Sequence, residues 1–131
     1  MPKTDWRAKL NVNEEQLGDL RYAGFSYLRQ GKYDIALRFF EALVILDKES
    51  AYDAQTLGAL YLQVGNPGKA LVMFDRALKI ESDHSPTLLN LCKAFLMLGK
   101  KEEGLKLANI LKNENEGYIA NTARALLLAY G

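Results

Sequence analysis

Apolar residues recur along this chain three and four positions apart. Ala36, Phe40 and Leu43 mark one such stretch, Ala70, Phe74 and Ala77 another, with polar residues between them. That spacing places the apolar side chains on one face of an amphipathic helix. Punctuation residues separate the stretches. Gly31, Gly65 and Gly99 stand where a helix ends and the chain turns in a left-handed conformation. Asn13 before Glu14-Glu15-Gln16 reads as an N-cap with a glutamine reaching back. Asn66-Pro67 and Ser85-Pro86 each read as a capping residue before a first-turn proline. The pattern predicts helices at about 14–30, 33–46, 51–64, 67–80, 86–98, 101–112 and 116–130. The fold class is therefore all-α.

The helices are not independent. Gly24-x-x-Tyr27 recurs as Gly58-x-x-Tyr61, a step of 34, and the next step reaches Cys92-x-x-Phe95. Ala36, Ala70 and Gly104 keep the same step, as do Phe40, Phe74 and Ala108. Gly24, Gly58 and Cys92 leave slots that bulk from a partner helix fills, and the aromatic three residues on fills the space between repeats. This period and this order of small, aromatic, glycine, alanine and phenylalanine positions resemble the tetratricopeptide-repeat (TPR) family. The resemblance covers repeats at 17–50, 51–84 and 85–118, the third the weakest match. It implies a right-handed α-solenoid of three helix pairs over residues 13–131, with 116–130 as a C-terminal capping helix. That last helix contains Leu126-Leu127-Leu128-Ala129-Tyr130 and is apolar nearly all round. It either docks on another surface, or continues into a lost extension, or packs deeply on repeat 3. Gly104 inside a helix costs about 1 kcal/mol against alanine, so either two helices approach closely there or repeat 3 is loose. Residues 1–12 read as a frayed N-terminal arm; self-association through Trp6, Leu10 and Val12 is the alternative.

Composition narrows the chemistry. With 17 basic and 16 acidic residues the net charge is +1, and no basic run marks a nucleic-acid or membrane face. Cys92 is the one cysteine, so no intramolecular disulfide forms, and the chain start lacks the apolar stretch of a signal peptide. These features lead us to expect a cytoplasmic protein. Catalysis lacks candidates. His84 falls in a turn, Cys92 in a core slot, and Glu14-Glu15 and Glu102-Glu103 suit helix starts. Gly65-Asn66-Pro67-Gly68 has neither the lysine nor the spacing of a phosphate loop. No enzyme activity, metal or cofactor is expected.

The TPR resemblance also implies a binding face. In that family, positions 2, 5, 9, 12 and 13 of each repeat line the concave side. Here they hold Gly18, Arg21, Phe25, Leu28 and Arg29; Tyr52, Gln55, Ala59, Leu62 and Gln63; and Pro86, Leu89, Lys93, Leu96 and Met97. An apolar trough of Phe25, Leu28, Tyr52, Leu62, Leu89, Leu96 and Met97 is expected, edged by Arg21, Arg29 and Lys93, and such a patch marks an interaction site. The family's clamp for acidic chaperone tails is absent, because its positions hold Arg21, Phe25, Thr56, Pro86 and Asn90. A narrower resemblance lies in Gly31-Lys32-Tyr33-Asp34-Ile35-Ala36, continued by Phe40-Glu41-Ala42-Leu43-Val44-Ile45-Leu46-Asp47 and Leu57-Gly58. This looks like the three-TPR chaperones of bacterial type III secretion, although Pro67 departs from that pattern. It implies a virulence-associated chaperone that holds an extended apolar segment of a translocator, needle or export component, as a homodimer or a heterocomplex. The competing expectation is a scaffold that assembles a complex through its convex face or terminal helix.

Overall fold

The computed structural model describes residues 4–131. Its elements, in chain order, are α1 (Trp6–Lys9), α2 (Glu14–Arg29), α3 (Tyr33–Leu46), α4 (Ala51–Gln63), α5 (Pro67–Ile80), α6 (Ser85–Met97), α7 (Lys101–Leu111) and α8 (Gly117–Tyr130). Among the described residues there is no strand. Helices α2/α3, α4/α5 and α6/α7 pack as antiparallel pairs, and α4, α6 and α8 each pack on the helix before them.

Local chemistry sets most of the boundaries. The Asn13 carboxamide accepts the Gln16 amide at 2.8 Å, and the Gln16 side chain accepts the Asn13 amide at 2.9 Å. Ser50 caps α4 through Asp53, and Asn66 caps α5 with Pro67 in the first turn. Gly31, Gly65 and Gly99 have φ of 76°, 81° and 77°, the left-handed turn that closes the first helix of each pair.

The slots are filled as the repeat requires. A Cβ on Gly24 would come within 2.9 Å of both Phe39 and Phe40, and one on Gly58 would meet the Phe74 ring. Gly104 belongs to the same class. Its absent Cβ is replaced by the Leu96 side chain, and its carbonyl accepts the Cys92 thiol at 3.1 Å. Close approach therefore explains that glycine.

Two apolar clusters form the interior. Leu17, Phe40, Leu43, Leu57, Leu60 and Phe74 belong to the one built on α2–α5, which Ala94 of α6 also joins. Leu89, Cys92, Leu96, Ala108, Leu111, Ile119 and Ala123 form the other, on α6–α8.

Three expectations need revision. Residues 4–12 of the arm hold a helical turn capped by Asp5, packed against α3, while residues 1–3 lie outside the described residues. Arg7 ties this turn down, donating to the Val12 carbonyl at 3.3 Å and pairing with Glu14. Ser85 does not cap α6. His84 occupies the cap position, and the Ser85 hydroxyl instead donates to Glu114 at 2.7 Å, beyond the end of α7. Finally, α8 packs by one face only. Ile119, Ala120 and Ala123 are buried, Leu126 and Leu127 half-buried, and Leu128 is 87% exposed.

Candidate functional site

The first helices of the three pairs carry the residues expected on the concave face, and the structure sorts them into three groups. Phe25, Tyr52 and Met97 are 41%, 51% and 48% exposed, so these are the open apolar anchors. The two aromatics have local support. The Arg29 guanidinium lies 5.8 Å from the Phe25 ring centroid, and Tyr52 meets the buried Phe40 edge-on at 6.4 Å. Gly18 and Gln63 are exposed, whereas Gln55, Ala59, Pro86 and Lys93 are half-buried.

Leu28 and Leu62 are half-buried and pack against the α2–α5 core, so they form the floor of the face. Leu89 and Leu96 are not open anchors of the trough. They are 2% and 6% exposed, inside the α6–α8 cluster. Leu96 fills the space that Gly104 leaves open, and Leu89 is buried in one cluster with Ile119 of α8. The trough expected from the sequence therefore lacks both leucines as exposed anchors.

Arg21 is not a free cation at the edge. It donates to Asp53 at 2.8–3.1 Å and to Asp47 at 2.6 Å, joining α2 to the end of α3 and the start of α4. The hydrogen bond to Asp53, which is fully buried, is the largest cause holding the guanidinium in its charged form. Here the clasp joins two repeats. Behind the face, the Tyr61 hydroxyl donates to Glu41 at 2.9 Å, and burial, then that bond, pushes the phenol up to about 12.

Two exposed aromatics were missed. Tyr22, 77% exposed, lies four residues after Gly18 and three before Phe25, on the same helical face. Tyr118, 66% exposed, is the second residue of α8, as Tyr52 is of α4. The spacing around Tyr22 was readable, but the repeat template does not include its position.

His84 shares a 2.7 Å hydrogen bond with Thr87 at the start of α6. Cys92 is buried, and burial pushes its thiol up, so it stays protonated at neutral pH. Among the described residues no three side chains are grouped to hold a metal, and no helix is long and apolar enough to cross a membrane.

Solved structures share this geometry. PcrH bound to the chaperone-binding region of PopD is 24% identical, with a TM-score of 0.80 over 91% of this chain and 93% of that one. The fold is a TPR solenoid. The Yersinia enterocolitica type III secretion chaperone SycD, solved with a peptide of the translocator YopD, has a TM-score of 0.79 at 22% identity. It covers 91% of this chain and 95% of its own. The first TPR of Spaghetti (RPAP3), bound to an HSP90 peptide, has a TM-score of 0.78 at 21% identity, covering 90% of this chain and 95% of that one. At these identities the likeness establishes the TPR fold alone. No protein-family model matches the chain. Curated relatives include the yeast mitochondrial import receptor subunit TOM70, 33% identical over 100 residues, and mouse superkiller complex protein 3, 27% identical over 96. Each match spans 73% of this chain but only 16% and 6% of those relatives. The solved neighbours are chaperones and a peptide-binding TPR domain.

Proposed function

We propose that this TPR protein is a chaperone that holds an extended, largely apolar segment of a client along its concave face. The observation that carries the reading is the row of open side chains Phe25, Tyr52 and Met97, one on each first helix. They stand at different repeat positions (9, 2 and 13), so they run obliquely across the stack, and burial of such exposed apolar side chains rewards a partner. One anchor is worth about 1.5–3 kcal/mol when fully buried, whereas micromolar binding needs about 8 kcal/mol. These anchors are already half-buried, so the client must engage all three repeats and add hydrogen bonds along the face.

The likeness to SycD and PcrH supports a secretion client of the translocator class, with the protein acting in the cytoplasm before export. A clamp for acidic chaperone tails fits poorly, because Arg21 is engaged by Asp47 and Asp53 and Thr56 is 7% exposed. The test is co-purification with candidate secretion substrates encoded beside the gene, using Phe25→Asp and Met97→Asp. Both positions are open, so the variants should fold like wild type and lose client capture. Variants that keep every partner sink the groove reading. Leu62 is a poor choice for this test, since it packs on the core.

One observation favours a second reading, a scaffold that works through α8. Tyr118, Leu128 and Tyr130 stay exposed there at 66%, 87% and 40%. Partner loss in Leu128→Asp, with the groove variants silent, would favour it.

A further inference from the structure

The first and last seams between successive first helices are built differently, and the difference opens a hollow. In the α2–α4 seam, Arg21 reaches across to Asp53, the third residue of α4. The residue 68 positions after Arg21, two repeats on, is Leu89, and the third residue of α8 is Ile119. Leu89 and Ile119 belong to one apolar cluster, 2% and 1% exposed. A short apolar pair thus stands where an arginine and an aspartate bridge the first seam, and the space above it is left open. That space is a hollow of about 290 Å³ lined by Pro86, Leu89, Asn90, Lys93, Glu116, Tyr118 and Ile119.

Size and lining define what fits. Small-molecule sites run from about 300 to 1,000 Å³, so this hollow is sized for a single large side chain. Its floor is apolar (Leu89 and Ile119), and Pro86 and Tyr118 are its flat walls. The polar side chains are one carboxylate, Glu116, one ammonium, Lys93, and one carboxamide, Asn90. Neither Lys93 nor Glu116 forms an ion pair among the described residues. An acidic ligand would be drawn to Lys93 and repelled by Glu116, and a basic ligand the reverse. A phenolic hydroxyl donates one hydrogen bond and accepts others, so it satisfies both partners at once. Its ring supplies the flat apolar body that the floor and walls match.

We propose that the α6–α8 hollow is a tyrosine-selective anchor site at the end of the concave face, one that fixes the direction in which the client segment lies. This rests on the concave-face reading, since Pro86, Leu89 and Lys93 occupy the same repeat positions as Tyr52, Arg21 and Phe25. A segment whose tyrosine is seated here runs with its other apolar anchors toward Met97, Tyr52 and Phe25. The reversed segment cannot fill both ends.

The test uses p-cresol, the tyrosine side chain as a free molecule, titrated into the full chain and followed by amide chemical shifts. Saturable shifts confined to residues 86–93 and 116–119 are expected, with toluene binding several-fold more weakly for want of the hydroxyl. Asn90→Phe, which plugs the hollow, should abolish them. Tyr118→Ala, at an exposed wall position that folding does not depend on, should weaken p-cresol by about tenfold. Equal binding of toluene and p-cresol overturns the selectivity. Shifts scattered over the exposed aromatics, or persisting unchanged in both variants, overturn the site. Client capture by Phe25→Asp reports on the groove alone, so the two readings fail separately.

Discussion

At the residue scale, the small positions of the repeat are where the sequence speaks most directly. Gly24 and Gly58 could be read as slots because an aromatic stands 16 residues further on, at Phe40 and Phe74. Gly58→Ala gains about 1 kcal/mol of helix propensity, but it forces a methyl to within 2.7 Å of Phe74 Cδ1. Overpacking of that kind costs about 1–3 kcal/mol, so urea denaturation should show a net loss. Gly68→Ala is the control. Its Cβ would meet nothing closer than Asn66 at 3.9 Å, and the change should be neutral or stabilising by up to about 1 kcal/mol. Arg21 was legible only in part, because a position template cannot show which acids reach it. Arg21→Ala strands a fully buried Asp53 and should cost about 3 kcal/mol or more. Arg21→Leu with Asp53→Ile, copying the Leu89–Ile119 seam, should regain much of that loss. A double variant no more stable than Arg21→Ala would show that the seam needs its charges.

At the element scale, helix ends were readable where a cap and a first-turn proline agreed, as at Asn66-Pro67. At Ser85-Pro86 the same signal misplaced the cap by one residue. The Ser85 hydroxyl is drawn to Glu114 on the far side of α7, a contact no local pattern encodes. The burial of Leu89 escaped for a similar reason. The 34-residue template carries that position onto the concave face, yet α8 begins 32 residues after α6, at Gly117 rather than 119. An apolar Ile119, where α4 has Asp53, was the available clue. Removing 117–131 should expose Leu89 and Leu111, lower the urea midpoint and raise binding of an apolar dye. Between α3 and α4, the burial of the Tyr61 phenol and its bond to Glu41 give a pH signature. The folded phenol titrates near 12 rather than near 10, so its contribution is complete below about pH 10. That contribution is lost as the pH rises from about 10 to 12, and Tyr61→Phe should flatten stability over the same window.

At the scale of the whole molecule, the solenoid carries two cores rather than one, because each repeat touches only its neighbours. Amide exchange should resolve α6–α8 from α2–α5 as separately opening units, and one shared exchange class would count against that division. The repeat made the solenoid legible. It could not show that the two ends are held by different forces, since that depends on side chains meeting across 32 residues (Arg21 and Asp53) or 30 (Leu89 and Ile119). The two ends should nonetheless answer temperature in the same sense. Apolar contact weakens on cooling, and the desolvation cost of an ion pair grows as the temperature falls. Chilling should loosen both seams together, so a client released in the cold would come free along the whole face.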